Sequence, residues 1–278
     1  MRIIYPGLDD FLLASLREDI GTGDITTGSC IPDNAVSAGV IIAKECGTVC
    51  GLQVAARVFA LLDAAVLFSP RVNDGGTVNK GDVLADISGS SKSILTGERT
   101  ALNLLGHLSG IATQTSAAVS AVRGTNTKIV DTRKTTPGLR ILEKYAVRCG
   151  GGSNHRFNLS DGVLIKDNHI KAAGGIASAV ALARSNCPHM LKIEVEAESI
   201  GDVHEALAAG AEIIMLDNMS QEMMTESVKI INGRAITEAS GNMGDRDLKA
   251  VADTGVDFIS IGALTHCVKS LDISLRLL

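Results

Sequence analysis

Aromatic residues are scarce in this sequence, which has no Trp, two Tyr and five Phe in 278 residues. Proteins that bind single-stranded nucleic acid stack bases on aromatic side chains and line the backbone with positive charge. The net charge here is −5, so both features are missing. We therefore expect no nucleic-acid partner.

A long, uninterrupted apolar segment is also missing. The most apolar window, residues 49–68, is interrupted by Gln53, Arg57 and Asp63. It predicts a core helix, because a membrane span needs about 20 mostly apolar residues. The first residues, MRIIYP, lack the apolar core of a signal peptide and two aspartates follow closely. We expect a cytoplasmic protein with no membrane partner.

The six cysteines form no C-x-x-C pair. Cys46 and Cys50 have no histidine near them, so they make a poor metal site, and free thiols in a reducing cytoplasm are expected. The sequence also lacks a Walker-type loop, a G-x-G-x-x-G turn and a nucleophile elbow. The common nucleotide-binding and serine-hydrolase sites are thus absent.

Positive charge is concentrated in one stretch, residues 131–171. It holds eight Lys or Arg and four acids, a net charge of +4, whereas the rest of the chain sums to −9. Such an island in an acidic protein favours binding of a small anion. Arg140, Lys144 and Arg148 fit a solvated helix face. The cations at strand ends or beside glycines predict a site: Arg133, Lys134, His155, Arg156 and Lys166.

From Lys128 onward, strands and helices alternate every 20 to 35 residues. The predicted helices lie near 138–148, 170–185, 199–209, 220–232 and 245–254. The predicted strands are Lys128–Thr132, Val163–Asp167, Leu191–Ala197, Glu212–Asp217, Arg234–Ser240 and Gly255–Gly262. Repeated βα units predict a parallel sheet. A (β/α) barrel is favoured because polar residues follow the strand ends, where barrel enzymes build their sites.

The strand LKIEVEA is the most informative of the six. Alternation places Lys192, Glu194 and Glu196 on one face, which must face the barrel interior. Burying two carboxylates costs several kcal/mol each unless cations or a metal compensate. We expect Lys192 to pair with Glu194, which leaves Glu196 as the functional acid. Asp217 ends the next strand at the right height to share Mg²⁺ with it, with substrate phosphate as the remaining ligand.

The last two strands end in glycine loops, Ser240-Gly241-Asn242 and Ile261-Gly262-Ala263. Loops after the final strands are the usual phosphate site of barrel enzymes. His266, one turn further on, is a candidate donor to the same anion. The cations opposite this phosphate site imply a second anionic substrate with more than one carboxylate, because Arg binds carboxylate through two parallel hydrogen bonds.

These segments closely resemble the quinolinate phosphoribosyltransferase family, also called carboxylating nicotinate-nucleotide pyrophosphorylases. The resemblance runs in order along nearly the whole chain. Its motifs are EDIGTGDITT (18–27), GERTALNLLGHLSGIAT (97–113), DTRKTTPGLR (131–140), EKYAVRCGGGSNHR (143–156), LIKDNHI (164–170), EVE (194–196), MLDNM (215–219), EASGN (238–242) and GVDFISIGALTH (255–266).

The resemblance implies an α/β fold with two domains. Residues 1–110 would form a sandwich-like α/β domain, with the tail at about 268–278 packing back on it. Residues 111–267 would form an open (β/α) barrel. It further implies a homodimer whose sites use both subunits, with higher assembly left open.

It also implies a role for individual residues. Quinolinate carboxylates would bind Arg133, His155, Arg156 and Lys166, with Arg99 reaching in from the partner. Lys134 and His266 would hold the pyrophosphate side of phosphoribosyl diphosphate, with Thr132 in the same loop. Glu196 and Asp217 would bind the ribose hydroxyls and Mg²⁺, and the two glycine loops would bind the 5′-phosphate. The catalytic residues would be Lys134, Lys166, Glu196 and Asp217.

Other functions compete with this one. A molybdenum-associated paralogue or a nicotinate-using transferase could share the scaffold, but the intact RKTTPG and KDNHI segments and the two sets of cations argue against them. A Schiff-base aldolase would use Lys166 as its nucleophile. A lipoyl-like carrier would rest on the turn-rich segment 72–91 alone.

Overall fold

The computed structural model describes residues 6–278, which form two compact units. The first unit comprises the described residues through Ser116, Thr136–Gly151 and Cys267–Leu278; the second comprises Ala117–Thr135 and Gly152–His266. The contacts thus divide the chain differently from the predicted boundary after residue 110. The segment between the first two barrel strands packs with the first unit, and so does the C-terminal tail.

The first 121 residues contain most elements of the first unit. In chain order they are α1 (Leu8–Ile20), α2 (Ile25–Cys30), β1 (Val36–Ala43), β2 (Gly47–Thr48), α3 (Leu52–Leu62), β3 (Leu67–Pro70), β4 (Thr77–Val78), β5 (Val83–Ser90) and α4 (Ser91–Ala121).

The remaining elements follow the βα rhythm expected from the sequence. They are β6 (Lys128–Val130), α5 (Arg140–Cys149), β7 (Val163–Ile165), α6 (Asp167–Ala173), α7 (Ile176–Asn186), β8 (Ile193–Ala197), α8 (Ile200–Ala208), β9 (Ile213–Asp217), α9 (Gln221–Ile231), β10 (Ile236–Ser240), a 3₁₀ turn (Met243–Asp245), α10 (Leu248–Ala252), β11 (Phe258–Ser260), α11 (Ala263–His266) and β12 (Ile273–Leu277).

An antiparallel sheet in the order β12-β1-β5-β3 forms the base of the first unit. The C-terminal strand β12 pairs along β1, with Ile41 opposite Leu275. The carrier alternative fails here, because β4 pairs with β2 whereas β5 lies between β1 and β3. The two strands of the 72–91 segment therefore form no hairpin that could present a lysine.

Two glycines in α4 allow the chain before β12 to approach closely. A Cβ atom added at Gly110 would lie 2.3 Å from the carbonyl oxygen of Lys269, and one at Gly106 would lie 2.9 Å from that of Leu271. Glycine weakens an isolated helix by about 1 kcal/mol. Here the close approach of the C-terminal segment compensates for that loss.

Helix α5 is buried along Leu142–Val147, and this overturns one prediction. Lys144 is not on a solvated face: its side chain is fully buried. The neighbouring Glu143 is also buried and accepts hydrogen bonds at both oxygens, at 2.8 Å from His107 Nε2 and at 3.1 Å from the Thr136 N–H. His107 is thus a core histidine with a hydrogen-bond partner. Arg148 is exposed, in agreement with its predicted position.

The second unit is built on a sheet of six parallel strands in the order β6-β11-β10-β9-β8-β7. On the face of β8, β9 and β10 opposite the inward acids, Val195, Ile214 and Ala239 are fully buried. β6 and β7 are the two edges of this strand order and do not pair with each other, so the described strands form an open barrel. Ser153 makes a single parallel bridge to Val130 at the β6 edge.

Among residues 6–278, no helix has the length and apolar character needed to cross a membrane.

Candidate active site

The carboxyl ends of the six parallel strands collect most of the predicted site residues at one edge of the barrel. Parallel strands all point the same way, so residues that follow them in sequence meet in space. These residues are Thr132, Arg133 and Lys134 after β6, Lys166 after β7, Glu196 in β8, Asp217 at the end of β9, Ser240 to Asn242 at and after β10, and Ile261 to Ala263 after β11.

Lys166 and Glu196 form an ion pair at this edge. Lys166 Nζ lies 2.5 Å from Glu196 Oε2, and the side chains are 46% and 8% exposed. The half-exposed lysine leaves room for a ligand beside it. The positive charge of Lys166 compensates the negative charge of Glu196. The sequence alone did not show which cation would pair with this glutamate. Charge-assisted hydrogen bonds of this kind are the strongest in proteins.

Carboxylate oxygens converge beside this pair. One oxygen each from Glu196, Glu198 and Asp217 lies within 4.8 Å of the other two. Hard oxygen donors in this number suit Mg²⁺, which takes one or two carboxylates and completes its shell with water and substrate phosphate. The donor set therefore fits the predicted metal, and Glu198 is a third candidate ligand that the sequence analysis did not single out.

Deeper in the barrel, His155 contacts two buried glutamates. Its Nε2 lies 3.2 Å from Glu194 Oε2 and 3.6 Å from Glu238 Oε2, and both glutamate side chains are at most 6% exposed. The predicted Lys192–Glu194 pair is wrong. β8 begins at Ile193, and Lys192 lies before it and is exposed.

The two glutamates lie close enough to repel each other. Burial, followed by the charge of Glu194, raises the pKa of Glu238 from 4.5 to about 7. One oxygen of each carboxylate, Oε1, is buried without a hydrogen-bond partner among the described residues. Burial and the neighbouring carboxylate therefore favour the protonated form of Glu238 near neutral pH.

The hydrogen bond at the second ring nitrogen of His155, Nδ1, determines the tautomer of the ring. Nδ1 accepts a hydrogen bond from the Arg156 backbone N–H at 2.8 Å. A nitrogen that accepts carries no proton, so the proton of the neutral ring lies on Nε2 and points at the glutamates. Both ring nitrogens are thus engaged within this unit. The predicted contact between His155 and a substrate carboxylate stays a prediction.

Asp131 orients the chain that carries His155. Its buried carboxylate accepts hydrogen bonds from the His155 N–H at 2.9 Å and from Asn154 Nδ2 at 2.5 Å. The sequence analysis gave Asp131 no role, although it directly follows β6. An acid that ends an apolar strand was the signal that could have found it.

Arg133 and Arg156 share one electrostatic environment. Partial burial, followed by the positive charge of Arg133, lowers the pKa of the Arg156 guanidinium. One end of that guanidinium is fixed, because Nη1 donates to the Gly162 carbonyl at 2.9 Å. The carboxylates of Glu194 and Asp161 offset part of this positive charge, and an anionic ligand would offset the remainder.

Lys134 and His266 meet at the second glycine loop. A Cβ atom added at Gly262 would lie 3.0 Å from Lys134 Cδ and 3.1 Å from His266 Nε2. The Thr265 hydroxyl donates to the Lys134 carbonyl at 2.7 Å, and the Lys134 N–H donates to Thr132 Oγ1 at 3.0 Å. These contacts bring the loop after β6 to the end of β11, as the predicted pyrophosphate site requires.

Glycine is required at the first loop as well. Gly241 has φ +93°, and an added Cβ atom would lie 2.2 Å from Asn218 Oδ1. Asn242 follows in the left-handed region at φ +50°. The loop after β10 therefore lies against the end of β9, beside Asp217.

Arg99 lies in the first unit, on α4, and is exposed. Its predicted position in the site of a partner subunit stays a prediction.

Sequence comparisons identify relatives along nearly the whole chain. Residues 24–109 match the N-terminal domain, and residues 111–276 the C-terminal domain, of the family described as quinolinate phosphoribosyl transferase. A probable nicotinate-nucleotide pyrophosphorylase [carboxylating] of Bacillus subtilis is 48% identical, over 93% of this chain and 89% of its own. The nicotinate-nucleotide pyrophosphorylase [carboxylating] of Mycobacterium leprae is 44% identical, over 96% of each chain.

Solved structures agree with these relatives. The structure of the nicotinate-nucleotide pyrophosphorylase from Francisella tularensis superposes with a TM-score of 0.95 at 41% identity, covering 99% of this chain and 98% of that one. Fold and sequence therefore point to the same relatives.

Proposed function

The chain belongs to the quinolinate phosphoribosyltransferase family, and we propose its function from that membership: it transfers the phosphoribosyl group of phosphoribosyl diphosphate to quinolinate. Quinolinate is decarboxylated in the process, and the products are nicotinate mononucleotide, CO₂ and pyrophosphate. The reaction is a step in the synthesis of NAD.

One observation carries the assignment of the site. A single barrel edge holds a set of cations at β6 and β7 and a set of carboxylates at β8 and β9, with Lys166 and Glu196 joined at 2.5 Å where the sets meet. A dicarboxylate fits the cations, and a ribose with its metal-bound phosphates fits the acids. The two substrates would therefore meet at the Lys166–Glu196 pair.

Quinolinate would bind to the basic side. Arg156 is held by Gly162, so its outer face is oriented before the substrate arrives, and Arg133 adds the second charge. Preorganised donors lose little freedom on binding, which improves affinity. The His155–Glu194–Glu238 cluster would support this side from below by fixing the loop that carries Arg156.

Phosphoribosyl diphosphate would bind to the acidic side. Glu196 and Asp217 would hold the ribose hydroxyls and Mg²⁺, with Glu198 as a further oxygen donor. Mg²⁺ would neutralise charge on the departing pyrophosphate. Lys134 and His266 would bind the same pyrophosphate, and the loops at Gly241 and Gly262 would bind the 5′-phosphate.

Transfer passes through an oxocarbenium-like transition state at ribosyl C1. Glu196 and Asp217 place negative charge beside that developing cation, which lowers its energy. The pyridine nitrogen captures C1, and the resulting pyridinium stabilises the ring carbanion left by the departing CO₂. Lys166 is the nearest candidate donor of the proton that replaces it.

The test is a direct assay. Purified protein with Mg²⁺, quinolinate and phosphoribosyl diphosphate should release CO₂ and nicotinate mononucleotide in equal amounts. A protein that is instead trapped covalently by borohydride with a carbonyl substrate would favour the aldolase alternative. The ion pair between Lys166 and Glu196 argues against that alternative, because a Schiff-base lysine must act as the free amine.

A cytoplasmic homodimer completes the proposal. The cysteines of the described chain are all free thiols, which suits a reducing compartment. In a two-fold dimer, Arg99 of each subunit would complete the other subunit's site.

Mixed dimers test this arrangement. Arg99→Ala and Lys166→Ala homodimers should both be nearly inactive. After subunit exchange, about half the dimers are mixed and each has one intact site, so activity should return to roughly a quarter of wild type. Exchange shown by mass measurement without any return of activity would remove Arg99 from the partner's site.

A further inference from the structure

Cys50 and Cys149 are neighbours in the first unit although they are far apart in sequence. Cys50 directly precedes α3 and is fully buried, and Cys149 ends α5 and is half-buried. Their sulfur atoms and a carboxylate oxygen of Asp74 lie within 4.8 Å of one another. The structure thus contains a pair of neighbouring thiols that no sequence motif predicted.

The two thiols differ in reactivity. The neighbouring Cys50 thiol lowers the pKa of Cys149, although partial burial opposes this effect, whereas burial raises the pKa of Cys50. The thiolate is the reactive form of cysteine. The more accessible sulfur is therefore the better nucleophile, and the other lies behind it in position to react second.

Metal binding is the competing use of this cluster, and the hydrogen bonds of Asp74 argue against it. Oδ1 accepts from the N–H groups of Gly51 and Leu52 at 3.0 and 3.1 Å, which caps α3. Oδ2 accepts from the Tyr145 hydroxyl at 2.8 Å. With Asp74 engaged, two sulfurs remain, and a structural zinc site uses four ligands.

We propose that Cys50 and Cys149 form a reversible disulfide when the protein meets a hydroperoxide. The Cys149 thiolate attacks the peroxide O–O bond, which forms a sulfenic acid and releases hydroxide. Cys50 gives its proton to that hydroxide and attacks the sulfenic sulfur, which forms the S–S bond and expels a second hydroxide that is protonated to water. Both sulfurs are oxidised, the peroxide is reduced to water, and a dithiol reductant restores the thiols.

The bond would join the start of α3 to the end of α5. It would close a loop of about 100 residues, and cross-links across long loops destabilise the unfolded chain most. The oxidised protein should therefore unfold several degrees higher than the reduced protein.

Peptide mapping can identify the bond directly. Cys46 and Cys50 share one tryptic peptide, residues 45–57, so the experiment uses Cys46→Ser protein, in which an exposed thiol is removed. After hydrogen peroxide and blocking of free thiols, a peptide pair 45–57 with 149–156 should appear and should be lost with dithiothreitol. Cys187, which is also half-buried, should stay reduced under the same dose.

The Cys50→Ala variant provides the matched control. Without the second thiol, Cys149 should accumulate as a sulfenic acid that dimedone traps, and peroxide should no longer raise the unfolding temperature. Oxidation of Cys149 no faster than Cys187, or the absence of a 45–57 to 149–156 link in the Cys46→Ser protein, would overturn the proposal. So would purified protein that carries one equivalent of zinc and loses it in Cys149→Ala.

Discussion

Each compact unit buries a histidine against glutamate, and the two arrangements are built differently. In the first unit, one carboxylate, Glu143, meets one histidine, His107, and a backbone N–H, so both its oxygens are satisfied. In the second, His155 faces both Glu194 and Glu238, and each glutamate keeps one buried oxygen without a hydrogen-bond partner in the described chain.

The difference indicates a structural pair in the first unit and, in the second, a cluster that fits the proposed support of the loop carrying Arg156. A buried carboxylate whose oxygens are both bonded gains no further contact from a ligand, so Glu143 serves the fold. An excess of buried negative charge costs free energy unless nearby cations offset it. The cluster below the barrel edge therefore belongs with Arg133, Arg156 and Lys166. The number of hydrogen-bond partners of each buried glutamate therefore distinguishes the two histidine–glutamate arrangements.

The largest expected effect is on turnover. Glu196→Gln keeps the shape of the side chain and removes the charge that faces Lys166 and, in the proposed complex, ribosyl C1. Turnover should fall by about 10²- to 10³-fold, the range for loss of one preorganised electrostatic contact, with quinolinate binding nearly unchanged. Steady-state kinetics and calorimetry measure the two quantities.

Glu143→Gln is the matched variant in the other unit. It should lose stability and keep its turnover while folded. If Glu196→Gln also kept near-normal turnover, Glu196 would be a structural partner of Lys166 and not a catalytic acid.

The next effect is on substrate affinity. Arg156→Ala should weaken quinolinate binding by about 2–5 kcal/mol, because truncating one member of a desolvated charge pair leaves the other unpaired. Phosphoribosyl diphosphate should bind almost as before. Arg148→Ala, which removes an exposed cation from the same basic stretch, should change neither affinity. An equal loss for both ligands with Arg156→Ala would contradict its assignment to quinolinate.

The sequence predicted the barrel well and the buried charges poorly. All six strands were found because each is an apolar run that ends in polar residues, and β8 keeps the two buried glutamates that its alternation predicted. The errors concern contacts between residues far apart in sequence, which the periodicity of apolar residues does not encode. His155 lies in an irregular loop after Gly150 to Gly152, so nothing in the sequence placed it against Glu194.

Lys144 shows the same limit on a helix. Its spacing with Arg140 and Arg148 is that of a solvated face, yet six consecutive residues of α5 are buried. A helix surrounded by protein has no solvent face, and only the tertiary structure reveals that. The resemblance named the residues of the site, but residue patterns did not reveal which of them were already engaged with one another.

The third effect is on stability. His107→Ala would leave Glu143 buried with one oxygen unpaired, and breaking a buried pair costs about 3–5 kcal/mol. The His107 ring is 23% exposed, so we expect a loss near 3 kcal/mol in the free energy of unfolding. Urea denaturation measures it. A change below about 0.5 kcal/mol, typical of surface substitutions, would mean that the pair is not structural.

The smallest effect concerns Glu238 and depends on pH. Its pKa is raised to about 7 in the folded protein, so the folded state binds a proton more tightly than the unfolded state. The stability from this proton is fully present below pH 4.5, the ordinary pKa of glutamate, and is lost as the pH rises through 7.

The Glu238→Gln side chain is neutral at every pH. The variant should match wild type near pH 4.5, and its free energy of unfolding should be about 2 kcal/mol higher than that of wild type at pH 8, the order of magnitude that a pKa shift of this size carries. Glu226→Gln, an exposed acid on α9, should show no such trend. Urea titrations at both pH values decide the matter: a Glu238→Gln protein that follows the wild-type pH dependence would show that no proton is held in the barrel, and would remove the contrast with the His107–Glu143 pair.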